Sequence, residues 1–281
     1  MEVYSPSEIK KLLRQYEIAP LKQLGQNFLT DRSVLERIAD AAKGESTAVL
    51  EIGPGLGALT SQLCRRFERT VCVEIDRGFV RVLGDTLGDA NVEIVEGDIL
   101  KTDLAALHEK LGGGSFCVCA NLPYYITTPI IFFLLESGLP VERMVFLVQR
   151  EVAARMTAEP GTKSYGALTV AVRSWANAET VMTVPPSCFY PAPDVTSAVV
   201  RLAPDSNAPV IGNRPLYMRL VRAAFAMRRK TLENNLVAGF SVSRETARSV
   251  IQSCGIPLGA RGETLSPAQF SALCTELEKA L

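Results

Sequence analysis

The sequence contains very little histidine, and this limits the catalytic chemistry open to the chain. His108 is the one histidine among 281 residues. A Ser-His-Asp triad, a two-histidine metal site or a histidine general base would therefore have to use it. It lies in the polar run LHEK, just before three consecutive glycines, which predicts a solvated helix residue. The sequence thus disfavours chemistry that depends on a histidine.

Metal-type cysteine motifs and long apolar runs are also missing. None of the seven cysteines are spaced C-x-x-C, and Cys117 and Cys119 alternate on one predicted strand, so packing is favoured over zinc and no metal is predicted. The longest uncharged stretch, 111–135, contains three glycines and two prolines, which argues against a membrane span. The N-terminal MEVYSPSEIKK has early acids and no apolar core. We therefore expect reduced thiols, a cytoplasmic location and no membrane partner.

The chain also has no net charge, because 30 Lys and Arg residues balance 30 Asp and Glu residues. A globally basic protein that holds nucleic acid by charge alone is excluded. The balance conceals an asymmetry, since residues 51–100 carry nine acids and five bases, whereas residues 201–250 carry nine bases and three acids. We expect these two regions to bind different partners.

Short apolar runs alternate with helix-like stretches through the first two-thirds of the chain. This alternation predicts an α/β fold with a parallel, Rossmann-like sheet that helices cover on both faces. Strands are predicted at 48–52, 70–75, 92–95, 116–120 and 144–148, and a hairpin at the sheet edge is predicted from 179–184 and 197–202. A linker at 203–209 precedes helix-like stretches alone, which predicts domains at 1–203 and 204–281.

A glycine-rich loop, EIGPGLG at 51–57, ends the first predicted strand and opens a helix. Glycines at this place let the backbone approach a nucleotide-like ligand. The loop alone also fits the G-x-G-x-x-G/A dinucleotide pattern, with Glu74 near the ribose-binding offset, and it fits a turn without a ligand. An NAD-dependent dehydrogenase is therefore an alternative at this point.

Acidic residues at three successive strand ends distinguish these alternatives. Glu51 beside the glycines would repel a pyrophosphate but attract a sulfonium or ammonium group. Glu74 can accept hydrogen bonds from ribose hydroxyls, and Asp98 can accept one from an adenine amine. An acidic rim at the ligand-binding edge of an open sheet predicts S-adenosylmethionine as the cofactor.

A second motif, NLPYY at 121–125, follows the fourth predicted strand. Tyr124 can stack on a flat base, while the Asn121 side-chain carbonyl and the Leu122 backbone carbonyl can accept hydrogen bonds from an exocyclic amine. Two acceptors would localise the nitrogen lone pair of adenine N6 and aim it at the sulfonium methyl for in-line transfer. Taken alone, the motif fits a proline-stiffened loop with core tyrosines equally well.

The complete ordered set of motifs resembles the small-subunit rRNA adenine dimethyltransferases of the KsgA type, and it covers nearly the whole chain. In chain order the set comprises LGQNFL at 24–29, EIGPGLG at 51–57, VEID at 73–76, GDIL at 97–100, NLPY at 121–124, FYPAPDVTS at 189–197 and FAMRRKTL at 225–232. Two positions depart from the family pattern. Tyr125 replaces a usual asparagine, and Glu233 replaces a residue that is often basic.

The resemblance implies a class I methyltransferase sheet with a small C-terminal helical domain. It implies transfer of four methyl groups, two to each of two adjacent adenines in a hairpin loop near the 3′ end of the rRNA, within an assembling particle. The implied S-adenosylmethionine contacts are Asn27, Leu29, Gly53, Glu74, Asp98 and Asn121. The implied contacts to the target base are Asn121, Leu122, Tyr124 and Phe189, which would stack on the second face of the base.

Residues 214–230 contain six bases and no acids, a stretch that could follow RNA phosphates. On a helix, Arg219, Arg222 and Arg229 would share one face, and Arg228 and Lys230 would extend the contact. We expect a monomer acting on small-subunit rRNA. The alternatives are the related large-subunit rRNA methyltransferase of the macrolide-resistance type and a non-enzymatic assembly factor that binds immature rRNA.

Overall fold

The computed structural model describes residues 3–18, 27–88 and 90–281. Residues 24–26 of the LGQNFL motif lie outside the described residues. The strands of the described chain are, in order, β1 (Phe28–Leu29), β2 (Ala48–Ile52), β3 (Arg69–Glu74), β4 (Val92–Glu96), β5 (Phe116–Asn121), β6 (Val141–Gln149), β7 (Ala176–Val184), β8 (Phe189–Tyr190) and β9 (Ser197–Pro204).

Seven of these strands form one sheet in the order β4-β3-β2-β5-β6-β9-β7. The neighbours from β4 to β6 are parallel, and β9 runs antiparallel to β6. The predicted α/β fold with a mostly parallel sheet is therefore confirmed. The chain winds outward from β2 in one direction and from β5 in the other, so the strand order reverses between these two strands. Open sheets bind ligands at such a reversal, beyond the carboxyl ends of the strands.

The two strands at the reversal are buried on both faces. All five residues of β2 are buried, and Cys117, Val118 and Cys119 of β5 have no exposed surface. Such continuous burial explains why these strands consist mostly of apolar residues, with Glu51 as the buried exception in β2. The position of the cavity described below is therefore fixed by the most deeply packed part of the sheet.

Helices connect and cover the strands. In the described chain they are α1 (Pro6–Gln15), α2 (Arg32–Ala42), α3 (Ala58–Leu63), α4 (Arg77–Leu87), α5 (Leu104–Lys110), α6 (Thr127–Glu136), α7 (Arg150–Met156), α8 (Ala167–Arg173), α9 (Arg214–Ala226), α10 (Leu232–Phe240), α11 (Arg244–Ser253) and α12 (Pro267–Ala280). Among the described residues, no helix is both long and apolar enough to cross a membrane.

The chain divides into two compact units. The first comprises Met1–Ala153 and Glu179–Ala203, and the second comprises Ala154–Ala178 and Pro204–Leu281. The prediction from sequence also divided the chain after residue 203, but it assigned 154–178 to the first domain. The structure differs because α8 packs against α9 and α12. In addition, the hydroxyl of Tyr165 donates to the carbonyl of Leu265 at 2.6 Å.

The two units carry opposite charge. The second unit has thirteen Lys and Arg residues against seven Asp and Glu residues, and the first has seventeen against twenty-three. The net charges are therefore +6 and −6. The asymmetry that the sequence showed between two segments follows the division into units once 154–178 is counted with the second.

Candidate cofactor and substrate site

A cavity of about 270 Å³ opens at the carboxyl ends of the strands in the first unit. Its lining includes the ends of β2, β3 and β5 and the segment after β4, which is the edge where the sequence placed its acidic residues. The site residues predicted from sequence that line it are Asn27, Leu29, Glu51, Gly53, Glu74, Asp98, Asn121 and Tyr124. The structure thus brings together residues that are nearly one hundred positions apart in the chain.

The glycine loop turns sharply from β2 into α3. Gly53, Gly55 and Gly57 have φ values of +68°, +56° and +83°, a region that residues with a side chain rarely adopt. At Gly57 a Cβ atom would also lie 3.0 Å from Leu83 and 3.1 Å from Leu87. All three glycines therefore allow the turn, and the missing side chain of Gly57 also allows α4 to pack closely against it.

Glu74 holds this loop in place while it faces the cavity. Its Oε2 accepts a hydrogen bond from the Gly55 backbone N–H at 3.0 Å, and its Oε1 accepts one from the Asp76 N–H at 3.0 Å. Only 5% of Glu74 is exposed, and burial raises its pKa against the effect of these hydrogen bonds. The bracing of the glycine loop is a role that the sequence did not reveal, because it depends on contacts between two strand ends.

Glu51 is the most deeply buried acid of the cavity, with 1% of its surface exposed. Burial raises the pKa of Glu51 to about 7. Its neighbours across β3 and β5 are Cys72 and Cys119, whose pKa values are also raised by burial. The Cys72 thiol donates to Glu51 Oε2 at 3.5 Å. No positive side chain thus compensates Glu51 in these contacts, and a cationic ligand would stabilise its charged form.

Asp98 combines two contacts beyond β4. Its Oδ1 accepts a hydrogen bond from the Leu100 N–H at 3.0 Å and so begins a short 3₁₀ turn, Ile99–Lys101. Its Oδ2 lies 3.6 Å from the Lys101 ammonium nitrogen. Of the Asp98 side chain, 27% is exposed, which leaves the carboxylate accessible to a ligand amine from the cavity.

Asn121 ends β5 with a fixed amide orientation. Its Nδ2 donates to the backbone carbonyl of Asn27 at 3.0 Å. Because the amide nitrogen is engaged in this way, Oδ1 is the group that can accept a hydrogen bond from a substrate amine. Asn27 and Leu29, which the family resemblance implied as cofactor contacts, line the same cavity.

The residues after Asn121 form a tight turn. The Pro123 carbonyl accepts hydrogen bonds from the Ile126 N–H at 3.2 Å and from Thr127 Oγ1 at 3.0 Å. The Tyr124 hydroxyl is 2.7 Å from the hydroxyl of Ser197 at the start of β9, and burial raises the pKa of Tyr124. The ring of Tyr124 is therefore fixed beside the cavity by a residue more than seventy positions away. Leu122 is 1% exposed, and the cavity lining omits it.

Phe189 lies in a different environment from the other predicted base contacts. It pairs with Leu29 where β8 meets β1, and it is 5% exposed. It belongs to the core cluster that includes Leu35 and Met182, and it is absent from the cavity lining. The structure therefore does not bring the Phe189 ring to the cavity beside Tyr124. His108 lies in α5, as predicted; it is half-buried, and its Nε2 is 2.9 Å from the Gly114 carbonyl.

The basic stretch is only partly helical, and the predicted face of Arg219, Arg222 and Arg229 is wrong in its third member. Helix α9 ends at Ala226. It ends there because buried Asn235 from α10 accepts a hydrogen bond from the Met227 N–H at 3.1 Å and donates to the Ala224 carbonyl at 2.9 Å. These bonds satisfy backbone groups at the end of the helix. The next basic residues therefore lie on the connection to α10.

The five predicted RNA contacts are all exposed on the second unit; they are Arg219, Arg222, Arg228, Arg229 and Lys230. Arg219 donates to the Gly239 carbonyl at 2.9 Å, and its guanidinium lies 4.4 Å from the centre of the Phe240 ring. Arg228 donates to the Lys163 carbonyl at 2.7 Å. Arg228 also forms an ion pair with Glu263 at 3.3 Å. The Arg219 and Arg228 side chains are therefore oriented by these contacts while they stay exposed.

Glu233, one of the two departures from the family pattern, forms an internal ion pair. It accepts hydrogen bonds from Arg244 at 2.6 Å and from Arg248 at 3.1 Å, and 7% of its side chain is exposed. Burial opposes its ionisation, but the hydrogen bonds from both arginines lower its pKa. An acid at this position thus joins α10 to α11.

Known proteins resemble the chain over nearly its full length. The model of a family described as ribosomal RNA adenine dimethylase matches residues 21–279. Ribosomal RNA small subunit methyltransferase A of Geobacillus thermodenitrificans (strain NG80-2) is 45% identical over 284 residues, which cover 98% of this chain and 97% of the relative. The same-named protein of Bacillus mycoides (strain KBAB4) is 42% identical over 287 residues, with 98% and 97% covered.

Two solved structures of RNA- or adenosine-modifying transferases also resemble the chain over most of its length. A dimethyladenosine transferase from Plasmodium falciparum superposes with a TM-score of 0.72 at 28% identity, over 90% of this chain and 98% of that one. The 23S rRNA methyltransferase ErmE superposes with a TM-score of 0.63 at 28% identity, over 90% of this chain and 100% of that one.

Proposed function

The chain belongs to the ribosomal RNA adenine dimethylase family, and from this premise we propose how its cavity performs the reaction. It is an rRNA adenine dimethyltransferase, and its similarity to the small-subunit enzymes favours small-subunit rRNA over the large-subunit alternative. Because the chain is an enzyme of this family, the purely non-enzymatic assembly factor is set aside. The residue roles, the cofactor and the details of the substrate given below are our proposal.

We propose S-adenosylmethionine as the methyl donor, because the donor set of the cavity fits it. Glu51 is a buried carboxylate without a cationic partner among the contacts described above, and it suits a sulfonium and an ammonium group better than a pyrophosphate. Gly53 leaves open space where a side chain would stand. Glu74 would accept from the ribose, Asp98 from the adenine amine, and Asn27 and Leu29 would complete the cavity wall. When bound, the cofactor supplies an electrophilic methyl group on sulfur.

Asn121, Leu122 and Tyr124 would bind and orient the target adenine. The single observation that carries this assignment is the Asn121 amide, whose nitrogen is held by the Asn27 carbonyl and whose Oδ1 is thereby left to accept from N6. The Leu122 carbonyl would accept the second N6 hydrogen, and the fixed Tyr124 ring would stack on the base. Preorganised acceptors of this kind lower the barrier by holding the attacking nitrogen in line with the methyl group.

For Phe189 we propose the stacking role that the family resemblance implies, on the second face of the base. Because the ring is buried in the present arrangement, this role requires β8 to move away from β1 when RNA is bound. Both strands have two residues, so such an opening breaks few backbone hydrogen bonds. It also removes Phe189 from the core cluster, at a cost of roughly 1.5–3 kcal/mol that stacking on the base would have to offset.

We further propose that the exposed bases of the second unit bind rRNA phosphates, while the target adenine leaves its stack to enter the cavity. The proposed substrate is a pair of adjacent adenines in a hairpin loop near the 3′ end of small-subunit rRNA, within an assembling particle. A cytoplasmic monomer is the form in which we expect the enzyme to act. These finer statements rest on the family resemblance and on the charge of the second unit.

The experiment is to incubate the protein with methyl-labelled S-adenosylmethionine and undermethylated small ribosomal subunits. The proposal predicts label in N6,N6-dimethyladenine at two adjacent positions of the small-subunit rRNA. Label in large-subunit rRNA would favour the macrolide-resistance type, and absence of label from N6 of adenine would contradict the proposal.

A further inference from the structure

Tyr125 is the single exposed aromatic residue of the protein. The chain has 11 Phe, 7 Tyr and one Trp, and all of them lie within the described residues, where every ring except that of Tyr125 is buried or half-buried. Tyr125 is 55% exposed. Among the aromatic rings of the protein, that of Tyr125 is therefore the one that is available to stack on a ligand beside the cavity.

The position of Tyr125 is fixed by the turn that carries the target-binding residues. Tyr125 lines the same cavity as Asn121 and Tyr124, and it follows Tyr124 directly in the turn closed by the Pro123 carbonyl. Tyr124 points to Ser197, where its hydroxyl is held at 2.7 Å. Tyr125, in the same turn, keeps more than half of its surface exposed, so its ring is available at the rim of the cavity.

The chemistry of the proposed reaction creates a partner for such a ring. An adenine that leaves its stack to reach the cavity exposes the face of the nucleotide beside it. Aromatic side chains stack on bases in this situation, and each such contact changes the affinity by roughly 5- to 150-fold, which corresponds to about 1–3 kcal/mol. Tyr125 lines the cavity that the target adenine would enter and is exposed there, so its ring is available to the base of the neighbouring nucleotide.

We propose that Tyr125 is a specificity-determining residue that stacks on the nucleotide next to the target adenine in the same RNA strand. The inference rests on the proposed function and goes beyond it, because it assigns a second base contact outside the reacting pocket. The residue that makes this contact, Tyr125, stands where the family usually has an asparagine. When the first adenine has been methylated and its neighbour enters the cavity, the ring would contact whichever of the two adenines is outside.

The test compares Tyr125→Phe, Tyr125→Asn and Tyr125→Ala with the wild type in methylation of undermethylated small subunits. Initial rates are measured against particle concentration at saturating cofactor, and then against cofactor concentration at saturating particle. The expected result is a particle KM raised about tenfold in Tyr125→Ala and Tyr125→Asn, with kcat and the cofactor KM within about twofold of the wild type. Tyr125→Phe, which keeps the ring, should have the same particle KM as the wild type.

Salt dependence separates stacking from charge. Tyr125→Ala should leave the slope of log affinity against log salt unchanged, because stacking releases no counterions. The proposal is overturned if Tyr125→Ala leaves the particle KM unchanged, if it raises the cofactor KM instead, or if Tyr125→Phe is as impaired as Tyr125→Ala. A wild-type protein that methylates no adenine would refute the proposed function itself, which is a separate result.

Discussion

Three carboxylates line the cavity, and their surroundings give them different properties. Glu51 is enclosed between thiols and has a pKa raised to about 7. Glu74 is tied to two backbone N–H groups, and Asp98 lies near the Lys101 ammonium. Glu51 is therefore the acid whose charge depends most on what occupies the cavity. A bound cation would favour its ionised form, and this coupling is open to measurement.

The titration of Glu51 predicts a pH-dependent stability for the ligand-free protein. The pKa of Glu51 is about 7 in the folded state against 4.5 for an exposed glutamate, so the folded state binds the proton more tightly. The contribution of Glu51 is favourable below pH 4.5 and is lost as the pH rises through 7. Glu51→Gln removes this titration. The unfolding free energy of the variant minus that of the wild type should therefore increase by about 2–3 kcal/mol from pH 5 to pH 8.

Urea unfolding of both proteins at the two pH values measures this difference. Glu74 also has a raised pKa and its charge raises that of Glu51, so the comparison measures the titration of Glu51 together with its repulsion of Glu74. An equal difference at pH 5 and pH 8 would show that Glu51 does not titrate in this range.

At the scale of elements, the turn from β2 to α3 depends on backbone conformation. Gly57 has a φ of +83°, and an added Cβ would lie 3.0 Å from Leu83. Gly57→Ala should therefore lower the unfolding free energy by about 1–3 kcal/mol and weaken cofactor binding. Gly84→Ala is the matched control, because Gly84 lies in α4 with open space around it. The control should be neutral or stabilising by up to about 1 kcal/mol, and equal losses in both variants would contradict the account.

The sequence predicts the inner strands well, because each is a short run of mostly apolar or β-branched residues between turn-forming segments. β2 has the predicted bounds, and β3 is displaced by one residue. The β1–β8 pair was missed because its two residues on each side form a strand only through pairing across about 160 positions. The helical face was wrongly extended to Arg229 for a similar reason, since contacts from Asn235 on the next helix end α9 at Ala226. Local pattern carries no information about such distant partners.

The candidate site shows the same division. The acids at the strand ends were predicted because parallel strands place their carboxyl ends on one edge. The partners of those residues were not, and Tyr124 illustrates this, since its hydroxyl is held by Ser197. Phe189 was expected at the target base on family resemblance, and its burial depends on the pairing of β8 with β1.

At the scale of the whole molecule, the zero net charge is the sum of two oppositely charged units. The negative unit contains the cavity proposed for a cationic cofactor, and the positive unit carries the bases proposed for rRNA. Zero net charge still argues against indiscriminate binding of polyanions. It does not limit the binding of RNA by the second unit.

RNA binding should accordingly weaken as salt increases, with a slope set by the bases that contact phosphates. Arg229→Ala should make the slope of log affinity against log salt shallower by about 0.7–0.9. Lys279→Ala is the matched control, because Lys279 belongs to the same unit and is paired with Glu276 at 2.6 Å. Filter binding of small-subunit rRNA between about 50 and 200 mM salt measures both slopes. Equal slopes for Arg229→Ala and the wild type would show that Arg229 does not contact an RNA phosphate.

The central claim is that the Asn121 amide aims the adenine N6 nitrogen at a methyl group held in the acidic cavity. The most direct test is the single-turnover rate of methyl transfer by Asn121→Ala to undermethylated small subunits, with cofactor and particle both saturating. We predict a rate lowered about 10²- to 10³-fold, while the variant still binds small-subunit rRNA as the wild type does. A rate within tenfold of the wild type would contradict the claim.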